Sequence, residues 1–294
     1  MTSLIYALKL DRLLCSVPFM VNFPPYDKHL MWGYADNSVR FFFSDSRKPA
    51  GLFEGFHMGQ LSCVVFADSK TFITAGEDCV IAVHSIQTAP GKPVDVSLKA
   101  SLFGHKTPVR TMAVSRAFST FVSVAEDGQA FLWDLNRLKY IRKLPLTRPV
   151  QCAHINDVTG EIMLCSGPNV ILFTLNGTLL LDQNVCIDND DEDNWVHSCA
   201  FYEGAGNEWL ESFLVFTGHR RGRAIAWRRT VSAAGKWTLE PVRRLDNVDS
   251  KSASGANYPA AITCITPSPQ CVYMGDEDGR VVSYCGVQCV EVRC

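Results

Sequence analysis

The stretch from Phe103 to Leu144 constrains the fold of this chain more than any other part of its sequence. It opens with a Gly-His pair, and a Trp-Asp pair lies near its end. Three apolar runs typical of β-strands lie between the pairs, at 109–114, 120–124 and 130–133. The sequence Glu126-Asp127-Gly128 predicts a tight turn between the last two runs. Because one such unit cannot bury its faces alone, it predicts further copies before and after it.

The two pairs and their spacing are the signature of a WD40 repeat. Within the unit, Ser123, Asp127 and Trp133 define a frame: a small or polar residue, an acidic turn residue, and an aromatic residue on the following strand. The aromatic position, or the residue that replaces it, recurs at Phe42, His84, Phe173, Trp227 and Tyr284. These anchors are roughly 40–57 residues apart, which fits repeats of roughly 40–45 residues with loop insertions.

The recurring frame predicts an all-β fold, a WD40 β-propeller with six recognisable blades. A seventh is expected if a blade is missing upstream of Met1. With 294 residues, 47% of them hydrophobic, the whole range 1–294 is predicted to be a single propeller domain. We expect the blades at 1–43, 50–86, 100–144, 148–181, 195–245 and, with an atypical end, 258–294.

Charge and hydropathy narrow the possible functions. The 28 basic residues nearly balance the 30 acidic ones, so no overall electrostatic field favours nucleic acid as a partner. The amino terminus lacks a basic region before its apolar residues, and no later stretch has 18 uncharged apolar residues. The sequence therefore predicts a cytoplasmic protein with neither a signal peptide nor a membrane-spanning helix.

The chain has twelve cysteines, for which we expect a reduced state. Most lie in apolar strand-like runs, where they are predicted to be buried: Cys63, Cys79, Cys152, Cys165, Cys199 and Cys264. The carboxy-terminal set Cys285, Cys289 and Cys294 has no CxxC spacing and no nearby histidine, which disfavours zinc. The acidic run 188–193 has Asp193 where a calcium loop needs glycine, so a solvated loop is expected. We predict no metal and no cofactor.

A chain of hydrogen bonds is the expected role of the polar residues in the best-preserved repeat, His105, Ser123, Asp127 and Trp133. The preceding repeat keeps His57, Thr74 and Asp78. A Ser, a His and an Asp together also suggest acyl-transfer catalysis. That alternative is disfavoured, because no nucleophile elbow is present and the tryptophan accounts for the polar groups as buried, satisfied atoms. The sequence thus predicts no catalytic residues.

The turns between the second and third strands of the repeats differ in charge. Most are acidic: Asp36, Glu77-Asp78, Glu126-Asp127 and Glu277-Asp278. One is basic and has Arg220, Arg221 and Arg223 at or beside the corresponding position. Arginine clusters hold acidic or phosphorylated peptides through bidentate hydrogen bonds, so these arginines are the candidate partner-binding residues. A solvated arginine face that pairs with neighbouring acidic turns is the alternative, and base rates for surface charges favour it.

A second resemblance comes from residues outside the WD40 repeat signature. They lie in the segments GLFEGFHMGQLSCVVFADSKTFITAGEDC, INDVTGEIMLCSG, LNGTLLLDQNVC and CAFYEGAGNEWLESFLVFTGHRRG. These resemble the carboxy-terminal propeller of BEACH-domain proteins, the beige and neurobeachin-like family, with most similarity to its fungal branch. The resemblance covers about residues 20–282. The sequence after Arg280 departs from it, for which we expect a mis-spliced terminus.

The resemblance implies a non-catalytic, protein-binding scaffold that acts in vesicle trafficking, vacuole or lysosome function and protein sorting. It also implies PH-like and BEACH domains upstream in a full-length protein, through which the chain would associate peripherally with membranes. Two alternatives stay open: a propeller hydrolase or lyase with its site in the central channel, and a generic WD40 adaptor of an unrelated complex.

Overall fold

A computed structural model of the chain describes residues 18–22, 29–34, 37–43, 45–46, 48–89, 92–186, 195–206, 210–233, 235–246, 259–285 and 288–292. These residues form 24 β-strands and no helix. The strands make six four-stranded sheets. Every sheet is an antiparallel meander, in which each strand pairs with the next one along the chain. The chain divides into two compact units, with the boundary between Arg148 and Pro149, and each unit contains three of the sheets.

The first unit contains the first three sheets. The first sheet consists of β1 (Pro18–Asn22), β2 (His29–Tyr34), β3 (Ser38–Phe43) and β4 (Pro49–Glu54). The second consists of β5 (Leu61–Asp68), β6 (Thr71–Gly76), β7 (Ile81–Gln87) and β8 (Asp95–Leu102). The third consists of β9 (Val109–Ser115), β10 (Thr120–Ala125), β11 (Ala130–Asp134) and β12 (Lys139–Lys143).

The second unit contains the other three sheets. The fourth sheet consists of β13 (Cys152–Ile155), β14 (Ile162–Ser166), β15 (Asn169–Phe173) and β16 (Leu179–Asn184). The fifth consists of β17 (Val196–Phe201), β18 (Val215–His219), β19 (Arg223–Val231) and β20 (Trp237–Asp246). The sixth consists of β21 (Ile262–Pro267), β22 (Val272–Asp276), β23 (Val281–Cys285) and β24 (Gln288–Val292).

Each aromatic anchor of the sequence frame lies on the third strand of its sheet, and each is less than a tenth exposed. In five of the six sheets the pairing with the fourth strand shifts by one residue at the anchor. At Trp133, for example, the partner is Tyr140, whereas the preceding Leu132 pairs with Arg142. Such a bulge bends the fourth strand. In the sixth sheet the pairing passes Tyr284 without a shift, so the last sheet departs from the common pattern.

The three apolar runs predicted in the 103–144 unit are confirmed as β9, β10 and β11. The turn between β10 and β11 is closed by a hydrogen bond from the Gly128 N–H to the Ala125 carbonyl oxygen, at 3.0 Å. Gly128 has a φ of 81°, a left-handed conformation that a Cβ atom disfavours. A Cβ there would also collide with the backbone of Arg148. The glycine is therefore required both by its own conformation and by its neighbour.

The repeats stabilise one another by burial of apolar faces between neighbouring sheets. In the first unit one cluster joins the first and second sheets and includes Phe41 and Phe72. Another joins the second and third sheets and includes Ile73 and Phe121. Equivalent clusters in the second unit join the fourth with the fifth and the fifth with the sixth sheet. Each fully buried large side chain contributes about 1.5–3 kcal/mol, so a sheet without its neighbour would lose most of its stabilisation.

The predicted bounds of the first two blades are wrong. Strand β4 (Pro49–Glu54), which fell in the second predicted range, pairs with β3 and completes the first sheet. Strand β8 (Asp95–Leu102) completes the second sheet but lies entirely outside its predicted range, and its last three residues fall in the predicted third range. Fourth strands are hard to recognise because they face solvent along much of their length: β8 is largely exposed, and every residue of β12 is exposed. They therefore lack the apolar run that marks the inner strands.

Two expectations for the cysteines are also wrong. Cys271 and Cys285 form a disulfide with a Cα–Cα distance of 4.5 Å, so this pair is oxidised rather than reduced. Cys271 directly precedes β22 and Cys285 is the last residue of β23; because Val272 lies opposite Tyr284, these next residues outward face each other. Cys264 is exposed, because it lies on a stretch of β21 in which only every third residue is buried. Among the described residues, no helix is long and apolar enough to cross a membrane.

Candidate functional site

A continuous hydrogen-bonded chain runs through the second sheet. His57 Nδ1 lies 3.0 Å from Asp78 Oδ1, and His57 Nε2 lies 2.8 Å from Thr74 Oγ1. Thr74 Oγ1 in turn lies 2.9 Å from His84 Nε2. The order is therefore carboxylate, imidazole, hydroxyl and a second imidazole, with His84 in the place where other repeats have tryptophan. The three residues predicted for this repeat are thus brought together.

One arrangement of hydrogen atoms satisfies all three links of this chain. His57 Nδ1–H donates to Asp78, the Thr74 hydroxyl donates to His57 Nε2, and His84 Nε2–H donates to the Thr74 oxygen. This leaves His84 neutral, with Nδ1 buried and without a hydrogen-bond partner. Burial, assisted by the neighbouring His57, lowers the pKa of His84 to about 4. Near pH 7 the second sheet accordingly holds an uncharged histidine at its core.

The third sheet has the same frame but lacks one link. Trp133 Nε1–H donates to Ser123 Oγ at 2.8 Å, and Ser123 Oγ lies 2.7 Å from His105 Nε2. The predicted link from His105 to Asp127 is absent, and His105 Nδ1 is buried without a partner. Instead the Asp127 carboxylate accepts hydrogen bonds from the backbone N–H and the side-chain amide of Gln129, at 3.0 and 2.8 Å. The chain through the indole, hydroxyl and imidazole is thus present, but without its carboxylate.

A third polar chain, in the fifth sheet, was only partly foreseen. Trp227 Nε1–H donates to Thr217 Oγ1 at 2.8 Å, and Thr217 Oγ1 lies 2.9 Å from His219 Nε2. His219 is two residues from Thr217 on the same strand, so both side chains lie on one face of β18. In the other two sheets the histidine precedes the first strand. The Gly218-His219 dipeptide was the available signal.

The hydroxyl groups in these three hydrogen-bonded chains stabilise their sheets and are not arranged as nucleophiles. Ser123, Thr74 and Thr217 are each fully buried, and each hydroxyl already has an imidazole partner on one side and a ring N–H donor on the other. A nucleophile needs an open approach for the reacting atom. Among the described residues, these three hydroxyls therefore serve as buried links within their sheets.

The acidic turns of the second and third sheets border a cavity of about 440 Å³ between these two sheets. Glu77 Oε2 there accepts a hydrogen bond from the Gln60 backbone N–H at 3.1 Å. Glu126 lies 3.5 Å from Arg110, with both side chains about half exposed. The carboxylates at this edge are thus partly engaged by local donors.

The basic turn of the second unit is the loop from β18 to β19. Arg220 is exposed, and its backbone N–H donates to the Trp195 carbonyl oxygen at 2.9 Å. Arg223 Nε lies 4.0 Å from Asp246 Oδ1, so this guanidinium is shared with an internal carboxylate. Burial and the charge of Arg220 lower the pKa of His197, against which Glu277 acts in the opposite direction. Arg220 and Glu277, from the acidic turn of the next sheet, therefore both lie near the half-buried His197.

Several predicted features lie outside the described residues. They are the acidic turn residue Asp36, the acidic run 188–193 and Cys294. For Cys289 the structure describes the strand but not the side chain. Cys285, the remaining member of the carboxy-terminal cysteine set, is bonded to Cys271.

The sheet pattern agrees with the comparison against known families. The profile of the family "WD domain, G-beta repeat" matches residues 96–134, from the fourth strand of the second sheet to the Trp133-Asp134 pair. Taken with the six four-stranded meanders, this match confirms the predicted fold class, all-β of the WD40 β-propeller type.

Comparison with curated proteins extends far beyond that single repeat. Beige protein homolog 1 of Schizosaccharomyces pombe is 29% identical over 271 residues, which cover 87% of this chain and 10% of the relative. BEACH domain-containing protein A2 of Arabidopsis thaliana is 30% identical over 69% of this chain and 6% of the relative. The homologues of this chain are BEACH and WD-repeat proteins.

The human Lysosomal-trafficking regulator belongs to the same group, at 25% identity over 87% of this chain and 6% of the relative. The chain therefore matches a tenth or less of the length of these relatives. The resemblance to BEACH-domain proteins predicted from the sequence is thus confirmed.

Proposed function

We propose that the chain is a non-catalytic protein-interaction module of a BEACH-type scaffold, acting in vesicle trafficking, vacuole or lysosome function and protein sorting. The similarity to Beige protein homolog 1 over 87% of the chain carries this proposal. The name of the human Lysosomal-trafficking regulator, which matches the same share of the chain, supports the trafficking role. Peripheral association with membranes, through PH-like and BEACH domains of a full-length protein, completes the proposal.

The positions of the polar residues inside the sheets support a binding role rather than catalysis. The histidines and hydroxyls that could serve a reaction link strands inside the second, third and fifth sheets. WD40 sheets generally present their turns and edges to protein partners. The binding site is therefore sought among exposed, charged turn residues rather than in the buried chains.

The turn containing Arg220, Arg221 and Arg223 is the proposed binding site for an acidic or phosphorylated peptide. It is basic where the turns at Glu126-Asp127 and Glu277-Asp278 are acidic, so it favours a partner of opposite charge. A phosphate or carboxylate can form two parallel hydrogen bonds with one guanidinium. Arg220 is the leading residue because it is exposed, whereas Arg223 already lies near Asp246.

Charge reversal tests this site directly. The full chain with Arg220→Glu and Arg221→Glu is compared with wild type for binding of a fluorescent phosphopeptide by anisotropy. Loss of charge-assisted hydrogen bonds predicts binding weaker by a factor of about ten or more. The control is Lys236→Glu, an exposed charge in the hairpin between β19 and β20 of the same sheet. Equal affinity of the double variant and wild type, with both folded by circular dichroism, would remove the arginines from the proposal.

The cellular role is tested separately by proximity labelling from the intact gene product. Enrichment of vesicle and vacuole-sorting proteins is expected, and it should fall when the segment corresponding to 18–292 is deleted. A labelling pattern that lacks these proteins would contradict the trafficking role. A pattern unchanged by the deletion would show that other domains recruit them.

A further inference from the structure

Three cysteines that are far apart in sequence meet in the second unit. The Sγ atoms of Cys152, Cys165 and Cys199 all lie within 4.8 Å of one another. They come from three strands, β13, β14 and β17, in the fourth and fifth sheets. Within the described part of the chain, no other group of three potential ligand residues is this close.

Strand register explains the first two positions. Cys152 and Cys165 are direct partners in the antiparallel pair of β13 and β14. Residues opposite each other in such a pair have Cβ atoms about 4.5–5.5 Å apart and side chains on the same face. That face is the one covered by the fifth sheet, from which Cys199 enters. The cluster is therefore fixed by two paired strands and one packed neighbour, all of them regular structure.

The thiols lie in a largely apolar environment. Cys165 has no exposed surface and Cys199 is less than a tenth exposed, and both belong to the apolar cluster that includes Met163 and Val215. Cys152 is partly buried and packs against this cluster. Soft thiolate ligands in such a setting select zinc or copper(I) rather than hard cations. Tetrahedral zinc thiolates about 2.3 Å from the metal would have their sulfur atoms about 3.8 Å apart. The observed group thus needs a contraction of at most about 1 Å to enclose an ion of this size.

A histidine next to the cluster has an unused nitrogen. His154 is two residues after Cys152 on β13, so it lies on the same face of that strand. Its Nδ1 atom is buried and has no hydrogen-bond partner, while its ring lies 5.7 Å from the ring of Phe201. Three cysteines and one histidine form one of the common ligand sets of structural zinc. His154 lies outside the group of sulfur atoms, so its ring would have to turn toward them to become the fourth ligand.

We propose that Cys152, Cys165 and Cys199 bind a single zinc ion between the fourth and fifth sheets, with His154 as the fourth ligand. Binding converts three thiols into thiolates and releases three protons to solvent, because only the deprotonated sulfur coordinates the metal. The ion would connect two adjacent sheets from within. Its role is structural, since a complete set of four protein ligands leaves no open position for a substrate.

The full chain is purified with zinc, dialysed, and analysed for metal content by mass spectrometry. About one equivalent of tightly bound zinc is expected. Replacement by cobalt should give the near-ultraviolet charge-transfer band of thiolate ligands and the visible bands of a tetrahedral ion. Cys165→Ser should abolish both signals, whereas the control Cys264→Ser, at an exposed cysteine outside the cluster, should leave them unchanged.

Two further measurements decide the case if Cys165→Ser does not fold. In wild type, zinc should raise the melting temperature and a chelator should lower it, and the cobalt band should have the intensity of about three thiolates. Zinc below about a tenth of an equivalent, or a cobalt spectrum without thiolate bands, would overturn the proposal. Peptide mapping by mass spectrometry that shows a disulfide between Cys152 and Cys165 in the metal-treated protein would overturn it as well.

Discussion

The second and third sheets carry the same polar frame but connect it differently. In the second sheet the chain begins at the Asp78 carboxylate, passes through His57 and Thr74 and ends on His84. In the third it ends on Trp133 and stops at His105, whose Nδ1 has no partner. A shared spacing of residue types therefore fixes the inner links, which depend on strand register. The outer link, between the histidine and the carboxylate of the turn, depends on the conformation of the turn and on which donors compete for that carboxylate.

Removing the hydroxyl at the centre of each chain should have the largest effect and should separate the two sheets. Thr74→Val leaves nitrogen atoms of His57 and His84 without partners, and both residues are at most 5% exposed. Each buried unsatisfied group costs about 1–3 kcal/mol, so we expect a loss of about 3 kcal/mol in the free energy of unfolding. Urea denaturation of the full chain, followed by tryptophan fluorescence, measures it.

The matched variant is Ser123→Ala in the third sheet. Here His105 is only partly buried and can turn toward water, which leaves mainly the Trp133 N–H unsatisfied. We expect a loss of about 1.5 kcal/mol, within the range for one unsatisfied buried donor. A larger loss for Ser123→Ala than for Thr74→Val would show that the number of buried orphans does not govern the cost.

Much of this architecture could be predicted because the inner strands are apolar and the anchors recur. The anchors also fix the register between the second and third strands of a sheet, because each anchor pairs with a residue near the start of the second strand. Trp133, for example, pairs with Phe121. The fourth strands of the first two sheets, β4 and β8, were misplaced because their exposed residues carry little apolar signal. The shifted pairing at five of the six anchors could not be predicted either, because it depends on an extra residue in a fourth strand that the pattern does not mark.

In the candidate sites, too, some residues could be predicted from their spacing in the sequence and others could not. Thr217 and Trp227 were found by spacing, but His219 was missed because it follows Thr217 on its own strand instead of preceding the sheet. The sequence predicted a bond from His105 to Asp127, but the Asp127 carboxylate accepts hydrogen bonds from Gln129 instead. The spacing of the residues does not reveal this alternative partner. The meeting of Cys152 with Cys165 follows from the register of one hairpin. The arrival of Cys199 depends on the packing of the next sheet, which spacing does not encode.

Lowering the pH should reduce the free energy of unfolding, because His84 in the second sheet must then take up a proton. Its folded-state pKa of about 4 lies below the ordinary value of 6.5, because burial disfavours the charged ring and His57 adds to this. The unfolded chain therefore binds a proton at higher pH than the folded chain does. The stabilisation is complete above pH 6.5 and is lost as the pH falls from 6.5 toward 4. Burial acts to raise the pKa of Asp78, but hydrogen bonds from Met58, Val80 and His57 together outweigh it and lower this pKa, so Asp78 adds a loss of stability at still lower pH.

His84→Phe provides the comparison for this pH dependence. The variant keeps a ring at the anchor but cannot titrate, so its stability should fall less steeply between pH 6.5 and 4.5. The difference in slope should approach about 1.4 kcal/mol per pH unit, the value for one proton. Melting temperatures across this range measure it, with His105 and the other titratable groups common to both proteins. Parallel curves for the two proteins would contradict an uncharged His84.

The smallest expected effect tests the outer link itself. Asp78→Asn weakens the bond to His57 Nδ1 and the bonds from the Met58 and Val80 N–H groups, at 2.9 and 3.1 Å. A loss of about 1 kcal/mol is expected for these partly exposed bonds. Asp127→Asn disturbs bonds to Gln129 and Thr107 on an exposed turn, so a change below about 0.5 kcal/mol is expected. Urea midpoints of the two variants, measured side by side, decide whether the carboxylate supports the chain in one sheet and not in the other. Equal losses would mean that the closed link in the second sheet contributes nothing beyond the local structure of the turn.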